Sequence, residues 1–280
     1  MDNYLLQESI RRFLSEDIAT GDITSEAIFS RDQWGEAAFI AKEPLIAAGM
    51  EKVAVQVFTI RNPEITISQA AEDGRRAQAG DMLLHLRGPI IDLLAAERVA
   101  LNLVQRLCGI ATLTAQFVEK VKPFPARITD TRKTTPGLRI LEKYAVRVGG
   151  GVNHRFNLSD GILIKDNHLA ACASIRQAVD LIKAKAPHTI KIEVEVENLQ
   201  QVQECLDCGV DIIMLDNMAI PDMRQAVALV KKKALVEASG GITLHNVVSI
   251  AETGVDLISI GALTHSAPAK DISMEMKPVL

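Results

Sequence analysis

Residues 199–215, LQQVQECLDCGVDIIML, align without gaps on residues 244–260, LHNVVSIAETGVDLISI. Each begins with Leu, runs through a helical stretch and reaches Gly-Val-Asp just before a short apolar run. One helix-then-strand unit used twice, two βα steps apart, is the material of a βα barrel. Working outward, the same rhythm fills the second half of the chain. Apolar runs recur at residues 127–129, 162–164, 190–196, 212–215, 234–238 and 257–260, and helical stretches at 174–186, 199–208, 223–232 and 244–253 separate the later ones. That alternation predicts parallel strands with crossover helices. About six strands are legible where a full barrel has eight, so the expected fold is α/β with a short, incomplete βα barrel of about six or seven strands. An open doubly wound sheet is the alternative that the pattern leaves standing.

The first hundred residues have another texture. Leu5, Leu6, Ile10, Phe13 and Leu14 form a helical stripe, and the turn-rich DIATGDITS, residues 17–25, offers Thr and Ser as caps for the next segment. Strand-like pieces at 37–41, 64–67 and 82–86 are punctuated by Gly and Pro, with a helix predicted over 49–59. This reads as a small α+β domain ending where residues 92–115 begin a long helix.

The chain has 280 residues, 48% of them hydrophobic, and a net charge of -4. It can bury a full core, and the acidic balance argues against general nucleic-acid binding. The N-terminal MDNYLLQESIRRF interleaves charge with apolar residues, unlike a secretory signal, and no uncharged apolar run is long enough for a membrane span. A cytoplasmic protein is expected. Four scattered cysteines make no disulfide framework, and the C-x-x-C of Cys205 and Cys208 falls in an amphipathic helix, as structural cysteines would.

Against that acidic background, residues 130–168, DTRKTTPGLRILEKYAVRVGGGVNHRFNLSDGILIKDNH, concentrate Arg132, Lys133, Arg139, Lys143, Arg147, His154, Arg155 and Lys165 around three consecutive glycines. Such a cluster suits a strongly anionic small molecule. In parallel βα folds the site lies at the carboxyl ends of the strands. The residues at those ends are Asp130 to Lys133, Lys165 to His168, the carboxylates Glu193, Glu195 and Glu197, Asp216-Asn217, Ser239-Gly240-Gly241, and Gly261 to His265. The Ser239-Gly240-Gly241 turn and the turn at Gly261 with Thr264 and His265 come after the last two strands, a frequent phosphate site. Glu195 and Asp216 suit a hydrated Mg²⁺ or sugar hydroxyls, although alternation alone does not choose between Glu195 and Glu197. Surface charge is the reading for whichever of Glu193 and Glu197 points away. Lys165 reads either as a cation for the substrate or as a Schiff-base nucleophile, and the neighbouring cations favour the first.

At these residues the chain resembles the quinolinate phosphoribosyltransferase (decarboxylating nicotinate-nucleotide pyrophosphorylase) family. The resemblance runs through Gly21 to Thr24, ERVALNLVQRLCGIAT at 97–112, the 130–168 block, Glu193 to Val196, Met214 to Asn217, Glu237 to Ile242 and Ile258 to Ser266. It implies an N-terminal α/β sandwich domain over residues 1–112, to which a tail at about 270–280 returns, and a βα barrel over residues 113–269. It implies a homodimer, or a higher oligomer, with active sites shared between subunits. The implied reaction joins quinolinate to 5-phosphoribosyl 1-pyrophosphate with Mg²⁺, giving nicotinate mononucleotide, pyrophosphate and carbon dioxide. Carried over by position, Arg132, Lys133, His154, Arg155 and Lys165 are the substrate cations, joined by Arg98 of the partner subunit. Glu195 and Asp216 are the ribose and Mg²⁺ carboxylates, acting directly or through water. Ser239, Gly240, Gly241 and Gly261 cradle the 5-phosphate, with His265 close by. Lys133, Lys165, Glu195 and Asp216 are the expected catalytic groups. The alternatives are a related protein of a molybdate-transport locus with another acceptor, an aldolase-type enzyme built on Lys165, and a non-catalytic phosphosugar-binding protein.

Overall fold

The computed structural model describes residues 3–278. The chain begins with α1 (Asn3–Ile18), α2 (Ile23–Ile28), β1 (Trp34–Ala41) and β2 (Leu45–Ile46). A π-helical turn, Met50–Ala54, leads into α3 (Val55–Arg61), followed by β3 (Thr66–Ala70), β4 (Arg76–Ala77), β5 (Met82–Pro89) and the long α4 (Ile90–Val121). The βα series then runs β6 (Arg127–Thr129), α5 (Arg139–Val148), β7 (Ile162–Ile164), α6 (Asp166–Leu169), α7 (Ile175–Lys183), β8 (Ile192–Val196) and α8 (Leu199–Cys208). It continues with β9 (Ile212–Asp216), α9 (Ile220–Val230), β10 (Leu235–Ser239), α10 (Val247–Ala251), β11 (Leu257–Ser259) and α11 (Ala262–His265), and the chain ends in β12 (Ile272–Pro278). No helix among the described residues is long and apolar enough to cross a membrane.

By contacts the chain divides into two units. The first holds the described residues up to Leu113, then Thr135–Gly150, then those from Ser266 onward; the second holds Thr114–Thr134 and Gly151–His265. A division made in chain order at residue 112 assigns α5 to the βα half, whereas its contacts are with the first unit.

The first unit contains a four-stranded antiparallel sheet ordered β12-β1-β5-β3. Gly35, Ala37, Phe39 and Ala41 of β1 alternate inward, and Phe39 meets Phe58 of α3 edge-on. On α1, Leu6, Ile10 and Leu14 recur every four residues and are buried, whereas Leu5 lies off that stripe and is 46% exposed. Asp22, and not the Thr or Ser expected, caps α2, its carboxylate accepting the backbone N–H groups of Thr24 and Ser25 at 3.1 Å. The long helix outruns its predicted end because Phe117 and Val121 keep the apolar spacing and are buried.

The second unit contains a six-stranded parallel sheet ordered β6-β11-β10-β9-β8-β7. From β7 to β11 each strand lies beside its successor, and β6 comes next to β11, so the sheet winds in one direction without the reversal of a doubly wound fold. The barrel is incomplete: β6 and β7 are edges, with Val152 bridging onto Thr129 of β6. The repeated Gly-Val-Asp has a mechanical meaning here. Gly209 (φ 63°) and Gly254 (φ 91°) take the left-handed backbone after their helices, Val210 and Val255 are buried, and each Asp ties down a neighbouring strand. Asp211 accepts the N–H of Ile192 at 2.8 Å, and Asp256 that of Val236 at 2.9 Å.

Candidate functional site

The carboxyl ends of these strands line a pocket of about 570 Å³. Thr131, Arg132, Lys133, His154, Arg155, Lys165, Glu195, Asp216, Asn217 and the Ser239-Gly240-Gly241 turn all contribute to it. Short strands put these residues at one rim because each run ends in a polar group at the same height. The register pairs Glu195 with Met214, and Ser239 with Asp216.

On one side stand the cations. Arg155 Nη1 donates to the Gly161 carbonyl at 2.7 Å, while the buried Nε atoms of Arg132 and Arg155 have no partner within the protein. Burial and the adjacent Arg132 both disfavour the charge on Arg155, against the pull of Glu193. Two guanidinium groups lining one pocket suit an anionic ligand.

On the other side stand the carboxylates. Lys165 Nζ is 3.4 Å from Glu195 Oε2. Burial raises the Glu195 carboxyl above its ordinary value, Lys165 opposes that, and Asp216 adds to it. Glu197 is exposed beyond the end of β8, so the alternation left open in the sequence resolves to Glu195. Asp216 is oriented by Asn217, whose Nδ2 donates to its Oδ2 at 2.9 Å. Asn217 has φ 52° and presses on the next turn, where a Cβ on Gly240 would lie 2.3 Å from Asn217 Oδ1. That contact, with φ 91° at Gly240, requires glycine.

Other predicted residues are placed differently. Gly261 is outside the pocket lining; its Cα face packs on Lys133 and His265, a built Cβ falling 2.9 Å from Lys133 Cδ and 3.2 Å from His265 Nε2. Arg98 lies exposed on α4 with Glu97 3.7 Å away. Arg139, Lys143 and Arg147 do not line the pocket: they recur every four residues on α5, and Lys143 is fully buried. That spacing was the available sign of a helix face. His168 serves its own turn, its Nδ1 accepting the N–H of Lys165 at 3.0 Å.

Three carboxylates have roles that the sequence did not reveal. Asp130, fully buried, accepts from Asn153 Nδ2 at 2.6 Å and from the backbone of His154 at 2.9 Å, holding the loop that carries His154 and Arg155. Glu193, read from sequence as surface charge if it points away from the site, is instead buried inside the barrel, 3.1 Å from His154 Nε2. Glu237 faces the same ring at 3.8 Å, and burial together with Glu193 pushes its carboxyl up to about 7. Alternation put Glu193 on one face with Glu195 and Glu197, but did not tell that the barrel interior is polar.

A one-way βα sheet whose strand ends gather cations, carboxylates and a glycine turn defines a protein that holds a strongly anionic, phosphate-bearing small molecule. The domain family described as "Quinolinate phosphoribosyl transferase, C-terminal domain" matches residues 110–275, and its N-terminal counterpart residues 22–108. The chain belongs to the quinolinate phosphoribosyltransferase family. It is 45% identical to the probable nicotinate-nucleotide pyrophosphorylase (carboxylating) of Bacillus subtilis, covering 99% of this chain and 95% of that one. It is 39% identical to the mitochondrial quinolinate phosphoribosyltransferase (decarboxylating) 2b of Nicotiana tabacum, covering 98% and 82%. The crystal structure of NadC from Streptococcus pyogenes, 41% identical, superposes with a TM-score of 0.96 over 100% of this chain and 99% of that one.

Proposed function

We propose that the protein transfers a phosphoribosyl group from 5-phosphoribosyl 1-pyrophosphate to quinolinate with loss of carbon dioxide, forming nicotinate mononucleotide. The observation that carries this reading is one pocket in which Arg132, Lys133, Arg155 and Lys165 flank Glu195 and Asp216 and face a Ser-Gly-Gly turn. Two highly anionic substrates meeting at a ribose need that division of labour. The family membership and the names borne by relatives at 45% and 39% identity support the same acceptor over the molybdate-locus alternative. Lys165 is half exposed and paired with a carboxylate, an unsuitable setting for a Schiff-base amine.

In this reading Arg132 and Arg155 hold the acceptor carboxylates, and Ser239, Gly240 and Gly241 take the 5-phosphate through backbone and hydroxyl donors. Gly261 supports that end by packing on both Lys133 and His265. The bond from the anomeric carbon to pyrophosphate breaks with its electron pair leaving on oxygen, where Lys133 and Lys165 stabilise the charge. Glu195 and Asp216 face the ribose as its carbon becomes cation-like. The pyridine nitrogen lone pair forms the new bond. The resulting positive nitrogen then accepts the electrons of the adjacent ring carbon as carbon dioxide departs and a proton replaces it.

Glu195 and Asp216 supply hard oxygen donors, with Asp216 close enough to help raise the Glu195 carboxyl, which fits a magnesium ion held directly or through water. Bound there, Mg²⁺ would supply charge neutralisation on the pyrophosphate oxygens. The reading also includes a cytoplasmic homodimer, or a higher oligomer, in which Arg98 of one subunit completes the site of its partner. A coupled assay of pyrophosphate and carbon dioxide tests the reaction. Equal release with quinolinate, and none with nicotinate, is the expected result; release of neither product with quinolinate would overturn it.

A further inference from the structure

The loop after β6 carries two of the site's cations, Arg132 and Lys133, and it runs beside the segment that leaves β11. The two strands pair in parallel, with Ser259 beside Thr129. One further backbone bond follows, from the Ile260 N–H to the Thr129 carbonyl at 2.9 Å. Past that point both segments leave the sheet, one into the loop and the other into α11, and a side chain takes over the tie.

That side chain is Thr264. It is fully buried, and its Oγ1 donates to the Lys133 carbonyl at 2.8 Å across 131 positions of chain. A hydroxyl has one proton, and a second acceptor is in reach, the Gly261 carbonyl at 3.2 Å. That carbonyl already accepts the N–H groups of Thr264 and His265 at 3.1 and 3.2 Å, so the hydroxyl proton goes to Lys133. The Lys133 N–H in turn donates to Thr131 Oγ1 at 3.0 Å, so both main-chain groups of the lysine end on threonine hydroxyls. Its side chain is held from the same turn. A Cβ built on Gly261 would fall 2.9 Å from Lys133 Cδ, so the stem of the lysine lies across the bare glycine. A long, flexible side chain that is exposed at the pocket is thereby ordered before any ligand arrives, which spares rotamer entropy on binding.

We propose that Thr264 is a positioning residue that sets Lys133 for the pyrophosphate of the donor substrate. The turn assigned above to the 5-phosphate end also aims the cation for the leaving group, so one short segment serves both anionic ends of one substrate. Thr264 itself is buried away from the substrate and acts through Lys133. The proposal rests on the phosphoribosyl-transfer reading for which anion Lys133 meets.

Calorimetric titration with inorganic pyrophosphate and Mg²⁺ tests it on wild type, Thr264→Val, Thr264→Ser, Lys133→Ala and the double variant of Lys133→Ala with Thr264→Val. Valine keeps the shape but leaves the Lys133 carbonyl without its donor, whereas serine keeps the donor. Thr264→Val should weaken pyrophosphate binding on the order of 10-fold, as a misplaced binding group does. Thr264→Ser should stay within about 3-fold of wild type. In the Lys133→Ala background the same valine should cost almost nothing, because the group it acts through is gone. In steady-state kinetics Thr264→Val should raise the KM of phosphoribosyl pyrophosphate and leave that of quinolinate nearly unchanged. An equal loss in both backgrounds, a serine no better than valine, wild-type affinity in Thr264→Val, or a wild type that does not bind pyrophosphate would each overturn the proposal. A wild type that binds pyrophosphate yet releases none in the presence of quinolinate would sink the reading of the reaction, and the comparison of variants would still judge Thr264. Should Thr264→Val not fold, a crystal structure of wild type with pyrophosphate decides. Lys133 Nζ on the anion with the Thr264 bond kept supports the proposal, and a lysine turned away or a broken bond refutes it.

Discussion

Lys165 and Glu195 show how much of the site single residues carry. Lys165 follows the last residue of β7 and was legible from the rule that parallel sheets work at their carboxyl ends, whereas the same rule narrowed the carboxylate of β8 only to Glu195 or Glu197. Replacing Lys165 with Ala should lower kcat by about 100–1000-fold while the thermal melt stays close to wild type, since the side chain is nearly half exposed and removes no core volume. Ordinary turnover at saturating substrate would take Lys165 out of the chemistry. Glu237 makes a prediction about stability. Its carboxyl rises from 4.5 to about 7, chiefly through burial and then through Glu193, against His154 and Ser259, with Asp130 adding to the rise. Below pH 4.5 the group is protonated whether the chain is folded or not, so it carries no penalty. As pH climbs from 4.5 through about 7 the unfolded chain gives up the proton that the folded one keeps, and the protein loses on the order of 3 kcal/mol. Melting temperatures across that window should therefore fall less in Glu237→Gln than in wild type, and parallel curves would contradict the assignment. No residue-level signal announced this group, because an acidic residue within a strand of mixed apolar pattern looks the same whether it faces solvent or a polar interior.

At the scale of elements, local chemistry was the readable part. The Gly-Val-Asp echo marks two helix ends that share one design, and glycine after a helix is a signal that needs no tertiary information. The turn after β10 is different. Gly240 takes a positive φ, and Asn217 from the neighbouring turn fills the space where a side chain would stand. Gly240→Ala should cost about 1–3 kcal/mol in urea unfolding and also impair catalysis, because the displaced Asn217 releases Asp216. A variant of full stability and activity would show that the turn adapts. Sequence periodicity found all six strands of the second unit but passed over α5. The regular recurrence of Arg139, Lys143 and Arg147 reads as substrate charge in the sequence, since an amphipathic helix and a cation cluster differ only in where the chain goes next.

For the whole molecule, the proposed sharing of sites between subunits is open to a direct test. Mixing Arg98→Ala with Lys165→Ala subunits and letting them exchange should recover roughly a quarter of wild-type turnover, the share of sites that random pairing leaves intact. No recovery would mean that Arg98 acts within its own chain or not at all. The amino-acid order by itself determined the α/β class, the winding material of the barrel, the cation-rich block and the strand ends that bear Arg132, Lys133, Lys165 and Asp216. All of these arise from periodicity and from turn chemistry, which act between residues close in the chain. Tertiary structure alone decided that β6 and β7 are the edges of the open sheet, that α5 belongs with the first unit, and that Glu193 and Glu237 meet His154 inside the barrel. Each of those depends on which distant segments come to share a boundary, and burial, which sets the ionisation and hydrogen bonding of such groups, exists only once they do.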